Sequence, residues 1–175
     1  IMFICPSETP EGAPIGIVLN FSLLTKISGQ HSSILVKKIL SNCENITFTK
    51  DLDINSIGGT KVFINGYIFG FTDTPYELVS EIKQFKVANI LHWSISVSYD
   101  DMDDEIQIFS DNGRLLRPVF TVENQKIKLK EEDGIKWDDL IEQKKIIYID
   151  NREANEAVIA FNQHELKKYK NDYCE

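Results

Sequence analysis

The sequence predicts an α+β fold, built of β-hairpins and short helices in two small modules, and three observations carry that class. Two apolar runs, Val62-Phe63-Ile64 and Tyr67-Ile68-Phe69, are joined by Asn65-Gly66. Both joining residues tolerate the positive φ of a type I′ turn, the strongest short-range signal for a hairpin. Thr74-Pro75-Tyr76-Glu77 then reads as a capping box with proline at the first helical position, and Leu78, Ile82 and Phe85, supported by Val79, share one helical stripe. That predicts a helix to about Val87. Further on, the alternation of Ile95, Val97 and Tyr99 and the run Ile106-Gln107-Ile108-Phe109 have the period of half-buried strands. At 175 residues the chain is long enough for one good core, or for two or three small modules.

Taken in order, Ile1-Met2-Phe3-Ile4 looks like the end of a strand, too short for a signal segment and without a basic lead. Residues 15–27 are apolar up to a boundary at Ser28-Gly29-Gln30; Val18, Leu19, Leu23 and Leu24 suit a helix, and the bulk suits a buried strand equally well. Residues 33–43, apolar at Ile34, Leu35, Ile39 and Leu40, read as a short amphipathic helix with Lys37-Lys38 on its solvated side. A polar connection, 51–59, leads to the hairpin through Gly58-Gly59. Within 90–99, His92-Trp93 precedes the strand. The acidic run from Asp100 to Glu105 lacks the glycine and the distal glutamate of a calcium loop, and reads as a solvated turn. Asp111-Asn112-Gly113 turns the chain into a strand through Arg114, Arg117 and Pro118. Residues 126–130 alternate lysine with Ile127 and Leu129, as an exposed strand does. Residues 137–142 read as a short helix, 145–149 and 157–161 as strands, and 163–170 as a weak closing helix.

The stretch 5–24, CPSETPEGAPIGIVLNFSLL, fits neither regular element. Pro6, Pro10, Pro14, Gly12 and Gly16 surround two carboxylates, Glu8 and Glu11. Prolines fix φ and delete donors while glycines reach angles closed to other residues, so such a run adopts one loop shape and presents its acids rigidly. Thr9-Pro10-Glu11 also reads as a helix start, with Thr as N-cap and a carboxylate in the first turn. A capped turn feeding an apolar segment is therefore the plainer alternative.

Charge and cysteine usage narrow the function classes. With 27 acidic against 19 basic residues and a net charge of −8, the chain is a poor match for holding nucleic acid by counterion release, and little such binding is expected from it alone. No apolar run approaches the length that spans a bilayer, so a soluble chain without a membrane partner is expected. Cys5, Cys43 and Cys174 are odd in number and lack CxxC spacing, which argues against a disulfide framework and a zinc site and suits a reducing compartment. His31, His92 and His164 are scattered, so no metal is assigned. Trp93 and Trp137 read as core anchors. Arg114 and Arg117 should point to opposite faces of a strand, one of them pairing with an acidic neighbour such as Asp111.

Cys5-Pro6-Ser7-Glu8-Thr9-Pro10-Glu11-Gly12, continued by Ile15-Gly16-Ile17-Val18 and Asn20-Phe21-Ser22-Leu23, resembles the CPxETPEGxxxGLVxNLxL signature of the second-largest, beta-type subunit of multisubunit DNA-directed RNA polymerases. Val62-Phe63-Ile64-Asn65-Gly66 with Gly70 is similar to that family's VFVNGxxxG hairpin. Asp111-Asn112-Gly113-Arg114-Leu115-Leu116-Arg117-Pro118 resembles its DAGRxxRPLF element, with Asn112 in place of the common Ala. Trp137-Asp138-Asp139-Leu140 leading to Ile147-Tyr148-Ile149-Asp150 resembles WxxLxxxGxVEYID, although Lys144 or Lys145 stands where the family tends to have Gly. Cys174-Glu175 fits the start of CEIHPS, with Tyr173 where His is usual. The resemblance keeps the order of motifs across nearly the whole chain and looks archaeal, eukaryotic or large-DNA-virus in type.

The resemblance implies a portion of a larger subunit, both ends stopping within core-like segments. Residues 1–29 would be the active-centre segment beside the fork region, 30–92 a first external domain, 93–162 a second, mainly β, and 163–175 a return toward the polymerase core. The complete enzyme would make RNA from ribonucleoside triphosphates on a DNA template with magnesium held mainly by the largest subunit; no cofactor is expected in this portion, which should be inactive alone. Its partners would be the largest and other subunits, with template DNA and product RNA in the whole complex. Its place would be intracellular, in the nucleus, or in cytoplasm or virion if viral. Glu11, with Glu8 second, is the candidate supporting carboxylate near nucleotide and hybrid, tuning loop geometry rather than attacking. Pro6, Thr9, Pro10, Gly12, Gly16, Asn65, Gly66, Asp111, Gly113, Arg114, Arg117 and Pro118 are the structural motif residues. A free-standing acidic interaction module is the alternative from another class, and a magnesium-dependent hydrolase a third.

Overall fold

The computed structural model describes residues 2–49, 58–129, 136–168 and 172–174. The chain divides into two compact units, residues 29–112 and residues 1–28 with 113–175. The strand β1 (Lys26–Ile27) belongs to the second of these; α1 (Ser33–Leu40), β2 (Thr47–Phe48), β3 (Thr60–Ile64), β4 (Tyr67–Thr72), α2 (Pro75–Val87), β5 (Ser96–Asp100) and β6 (Glu105–Phe109) build the middle unit. After it come β7 (Leu115–Glu123), β8 (Lys126–Ile127), α3 (Trp137–Glu142), β9 (Ile146–Asp150), α4 (Asn151–Glu156), β10 (Ile159–Ala160) and β11 (Tyr173–Cys174). The mixture of two sheets and short helices is the α+β class expected. Most of the connection 51–59 lies outside the described residues, as do the ends of the segments 126–130 and 163–170.

In the unit 29–112 the hairpin forms where Asn65 and Gly66 allow it. Their φ angles are 50° and 79°, and β3 and β4 pair antiparallel around them. The sheet runs β2-β4-β3-β6-β5, with β3 and β6 parallel and the other pairs antiparallel. Val62 and Ile64 of β3, Ile106 and Ile108 of β6 and Val97 of β5 alternate inward and share one core with Val36 and Leu40 of α1 and Leu78, Val79 and Ile82 of α2. Each large aliphatic side chain fully withdrawn from water contributes about 1.5–3 kcal/mol, so this alternation sets the register. Ser32 caps α1 by accepting from the Ile34 amide at 3.3 Å. The capping box expected at α2 does not form: the Thr74 side chain makes no cap bond, and its amide instead donates to Thr72 Oγ1 at 3.2 Å. Pro75 at the first helical position sets the start of α2. The acidic run makes the β5–β6 turn: Asp100 Oδ1 accepts from the amides of Met102 and Asp103, while Asp104, at φ 52°, accepts from Thr60 Oγ1 and the Tyr99 hydroxyl. The stretch 93–112 shares this unit's core with 29–92, because Leu91, Ile95 and Val97 pack beside α2.

In the other unit β7 is the axis. It pairs antiparallel with β9 from Leu116↔Asp150 to Phe120↔Ile146, with β1 at Leu116↔Lys26 and with β11 at Phe120↔Cys174; β10 continues parallel to β11. Pro118 lacks an amide donor, and it falls between the last residue of β7 paired with β1 and the first paired with β11. The turn into β8 uses Asn124 and Gln125 at φ 51° and 60°. Neither tryptophan is the core anchor expected from the sequence. Trp93 is half-buried and Trp137 is 37% exposed, where its indole Nε1 donates to the Tyr148 hydroxyl at 3.2 Å; the buried aromatic is Tyr148 itself. The closing helix shrinks to a single 3-10 turn, Glu165–Lys167, around buried Leu166.

Lys144, before β9, has φ 57° where the resembled motif carries Gly. A lysine there holds its Cβ against the following carbonyl, a cost that glycine avoids. Lys144→Gly is therefore expected to stabilise this unit by about 1 kcal/mol, partly offset by the freer unfolded chain. The urea midpoint read by Trp137 fluorescence checks it.

Candidate functional site: the proline-glycine hook

The helix start expected at Thr9-Pro10-Glu11 is absent. Gly12 turns the backbone to φ 81° directly after Glu11, and Gly16 repeats this at 77°, so helical propagation stops and a run of turns follows. Carbonyls of Gly12 and Pro14 accept from the amides of Ile15, Ile17 and Val18 at 3.1–3.2 Å. A Cβ at Gly12 or Gly16 would meet nothing within 4 Å, so dihedral angle rather than space is what glycine supplies.

Two legs hold this tip. The Cys5 amide donates to the Asn20 carbonyl at 2.8 Å, the Ser22 amide to the Phe3 carbonyl at 3.1 Å, and Ile4 bridges Phe21 antiparallel. Asn20 Nδ2 donates to the Glu8 carbonyl at 3.0 Å, fastening the near leg to the far one, and Thr25 Oγ1 donates to the Phe3 carbonyl at 3.0 Å. The segment is thus a laced hook. At its root Phe3 is buried, with the Arg117 guanidinium 5.7 Å from its ring centroid and Arg117 Nη1 against Met2 Sδ. Residues 115 positions apart meet there, so the arginine motif of β7 anchors the hook.

Glu8 and Glu11 both face solvent, and among the described residues neither carboxylate accepts a side-chain bond or ion pair. The hook contains no Lys, Arg or His, so it has no cation to hold a phosphate and no imidazole to act as a base. Its other exposed groups are aliphatic: Ile15, Ile17, Val18, Leu19, Leu23 and Leu24, together with Phe21 and nearby Ile27. Leu23 is 98% exposed. The apolar run 15–27 is therefore neither the helix nor the buried strand that its composition allowed; it is a turn-rich tip followed by the two residues of β1.

The remaining motif residues gather elsewhere. Asn65 does more than turn: its Nδ2 donates to Ser110 Oγ at 3.0 Å and its Oδ1 accepts from the Ser110 amide at 2.8 Å. Gly113, at φ 86°, donates to the Ser28 carbonyl, and the Arg114 amide donates to Ser28 Oγ at 3.0 Å. Arg114 Nη1 forms an ion pair with Asp150 Oδ2 at 3.3 Å, a partner 36 residues along rather than the neighbour Asp111 that the sequence suggested. Asp150, absent from the expected site residues, also caps α4: its Oδ1 accepts from the amides of Arg152 and Glu153 at 3.0 and 2.9 Å. The signal for it was Asp150 followed by Glu153, the spacing of a capping box. His31 and His92, scattered in sequence, stack with ring centroids 3.8 Å apart. Among the described residues no group of three or more carboxylate, imidazole or thiol side chains could hold a metal ion. Desolvation and then neighbouring Glu81 push the Cys43 thiol up to about 11, which makes it a packing group rather than a nucleophile.

Comparison with known proteins gives two family matches: RNA polymerase Rpb2, domain 3, over residues 1–27, and RNA polymerase Rpb2, domain 4, over residues 62–123. The chain is 32% identical to a probable DNA-directed RNA polymerase II subunit RPB2 homolog of Invertebrate iridescent virus 6, an alignment covering 99% of this chain and 15% of that protein. It is 33% identical to the DNA-directed RNA polymerase II subunit RPB2 of Encephalitozoon cuniculi (91% of this chain, 14% of that one) and 29% identical to the subunit Rpo2 of Sulfolobus acidocaldarius (93% and 16%). The chain thus spans about one seventh of the length of these curated relatives.

Proposed function

This chain belongs to the family of second-largest subunits of DNA-directed RNA polymerases, and from that premise we propose that it serves as one part of an enzyme making RNA on a DNA template from ribonucleoside triphosphates. The observation that carries the reading is the solvent-facing aliphatic tip of the hook. A contiguous patch of that kind on a rigid loop marks a contact surface, and relatives some seven times longer have the mass to cover it. The hook then packs by its aliphatic side chains against the remainder of the polymerase, in the neighbourhood of the active centre, and Glu8 and Glu11 hold positions set by the prolines and glycines around them. The free-standing acidic module does not account for so exposed a tip.

Phosphoryl transfer depends mainly on positioning and on metal charge. This part supplies positioning. The described residues do not fit a magnesium site, so the ion belongs to other parts of the complex and no step is assigned to it here. Residues 1–29 are assigned to the active-centre side, 30–92 and 93–162 to the external domains, and 163–175 to the return segment. The other polymerase subunits are the partners, with template and transcript reached only in the assembly. The setting is the nucleus, or the cytoplasm or virion in a virus.

Polymerase assembled with the full-length subunit carrying Glu11→Ala is expected to extend a primed RNA about tenfold more slowly, because a small misplacement beside the reacting atoms is enough to cost that much. Assembly should be unchanged, since Glu11 is exposed. An unchanged elongation rate removes Glu11 from this role. The isolated chain is expected to incorporate no nucleotide, and template-dependent incorporation by it overturns the reading.

A further inference from the structure

In the unit 29–112, a groove of about 700 Å³ opens between α1 and the margin of the sheet, lined by Ile34, Lys37, Lys38, Phe48, Ile68 and Phe69, with Ser41 and Thr49 at its ends. Three features of it converge. The first is backbone: β2 covers β4 only at Gly70 and Phe71, so among the described residues Tyr67, Ile68 and Phe69 have no strand partner on that side. An uncovered strand margin is a template for a further strand. The second is apolar surface: Ile34 is 75% and Ile68 46% exposed at the mouth, above half-buried Phe48 and Phe69, which pack edge to face at 5.4 Å. The third is charge. Lys37 and Lys38 are both exposed, no acidic residue lines the groove, and α1 has no acid in its first turn, in a chain whose net charge is −8.

We propose that this groove docks an acidic peptide segment of a partner protein, added to β4 as a strand, with aliphatic or aromatic anchors over Ile68 and Phe69 and carboxylates facing Lys37 and Lys38. Strand addition draws affinity from main-chain hydrogen bonds and specificity from alternate side chains, which suits an edge bordered by apolar pockets and two cations. Nucleic acid is the poorer fit, because two cations on an aliphatic surface neutralise few phosphates and the rest of the chain repels them. The inference goes beyond the polymerase reading and stands or falls without it.

The test uses the 175-residue chain and a short synthetic peptide alternating Glu with Ile and Phe, with a Lys-for-Glu version as control. Titration calorimetry is expected to show binding of the acidic peptide that weakens with salt, and Lys37→Glu with Lys38→Glu should weaken it about tenfold or more. Hydrogen exchange at the amides of Tyr67, Ile68 and Phe69 should slow on binding. Ile68→Asp, on the exposed mouth, should abolish binding, while far-ultraviolet dichroism reports whether each variant still folds; Lys37→Gln with Lys38→Gln is the milder pair if the charge reversal does not. Equal binding of the basic peptide, affinity unmoved by the lysine variants, tighter binding of a single-stranded oligonucleotide, or amides at 67–69 already protected in the free chain would each overturn the proposal.

Discussion

Replacing Asp150 by alanine is expected to cost the unit built on β7 about 3–5 kcal/mol, the usual cost of leaving a buried ion without its counter-ion. One carboxylate does two jobs. Oδ2 meets Arg114 at 3.3 Å, and Oδ1 caps α4 through the amides of Arg152 and Glu153, with Asp150 only 4% exposed. Alanine withdraws both at once, stranding the guanidinium and two amides in a region water hardly reaches. Asp150→Asn keeps an oxygen for the cap and gives up only the charge, so it should fall about midway. Because the two compact units need not unfold together, the probe must be local. Urea denaturation of a Trp93→Phe background, followed through Trp137, isolates the unit concerned. Equal stability of Asp150→Ala and its parent would remove the ion pair from the account.

Gly70→Ala is expected to destabilise the other unit by about 1–3 kcal/mol, the range for forcing a methyl group into a packed site. A Cβ at Gly70 would lie 2.6 Å from the Thr47 carbonyl oxygen and 2.8 Å from Ile46 Cγ2. The first obstacle is main chain of β2, held in register with β4 at Phe48↔Gly70, so it cannot swing aside as a side-chain end would. Here glycine is required by space and not by dihedral angle, the reverse of Gly12. The readout is the urea midpoint through Trp93 in a Trp137→Phe background, with faster amide exchange in β2. An unmoved midpoint means that β2 is not seated against β4 as described.

Much of this was legible because it is local chemistry. Asn65-Gly66 specifies its turn in two residues, Pro75 starts α2, and the inward alternation of Val62, Ile64, Ile106 and Ile108 announces strands. What stayed hidden depends on distance along the chain. Nothing near Arg114 names Asp150, nothing near Phe3 names Arg117, and the parallel pairing of β3 with β6 is a property of the assembled sheet. The α4 helix was missed because it leaves β9 with no intervening loop, Asp150 being the last residue of one and the cap of the other. The run 15–27 misled for a different reason. Periodicity reads burial, and these side chains are not buried by any of the described residues.

That last point leads to the most direct test. Hydroxyl-radical footprinting of Leu19, Phe21, Leu23 and Leu24 can be compared between this chain alone and polymerase assembled with the full-length subunit. Strong oxidation in the chain and protection of all four in the assembly is the expected result. Equal oxidation in both would contradict the claim that the hook is a seat on the body of the polymerase.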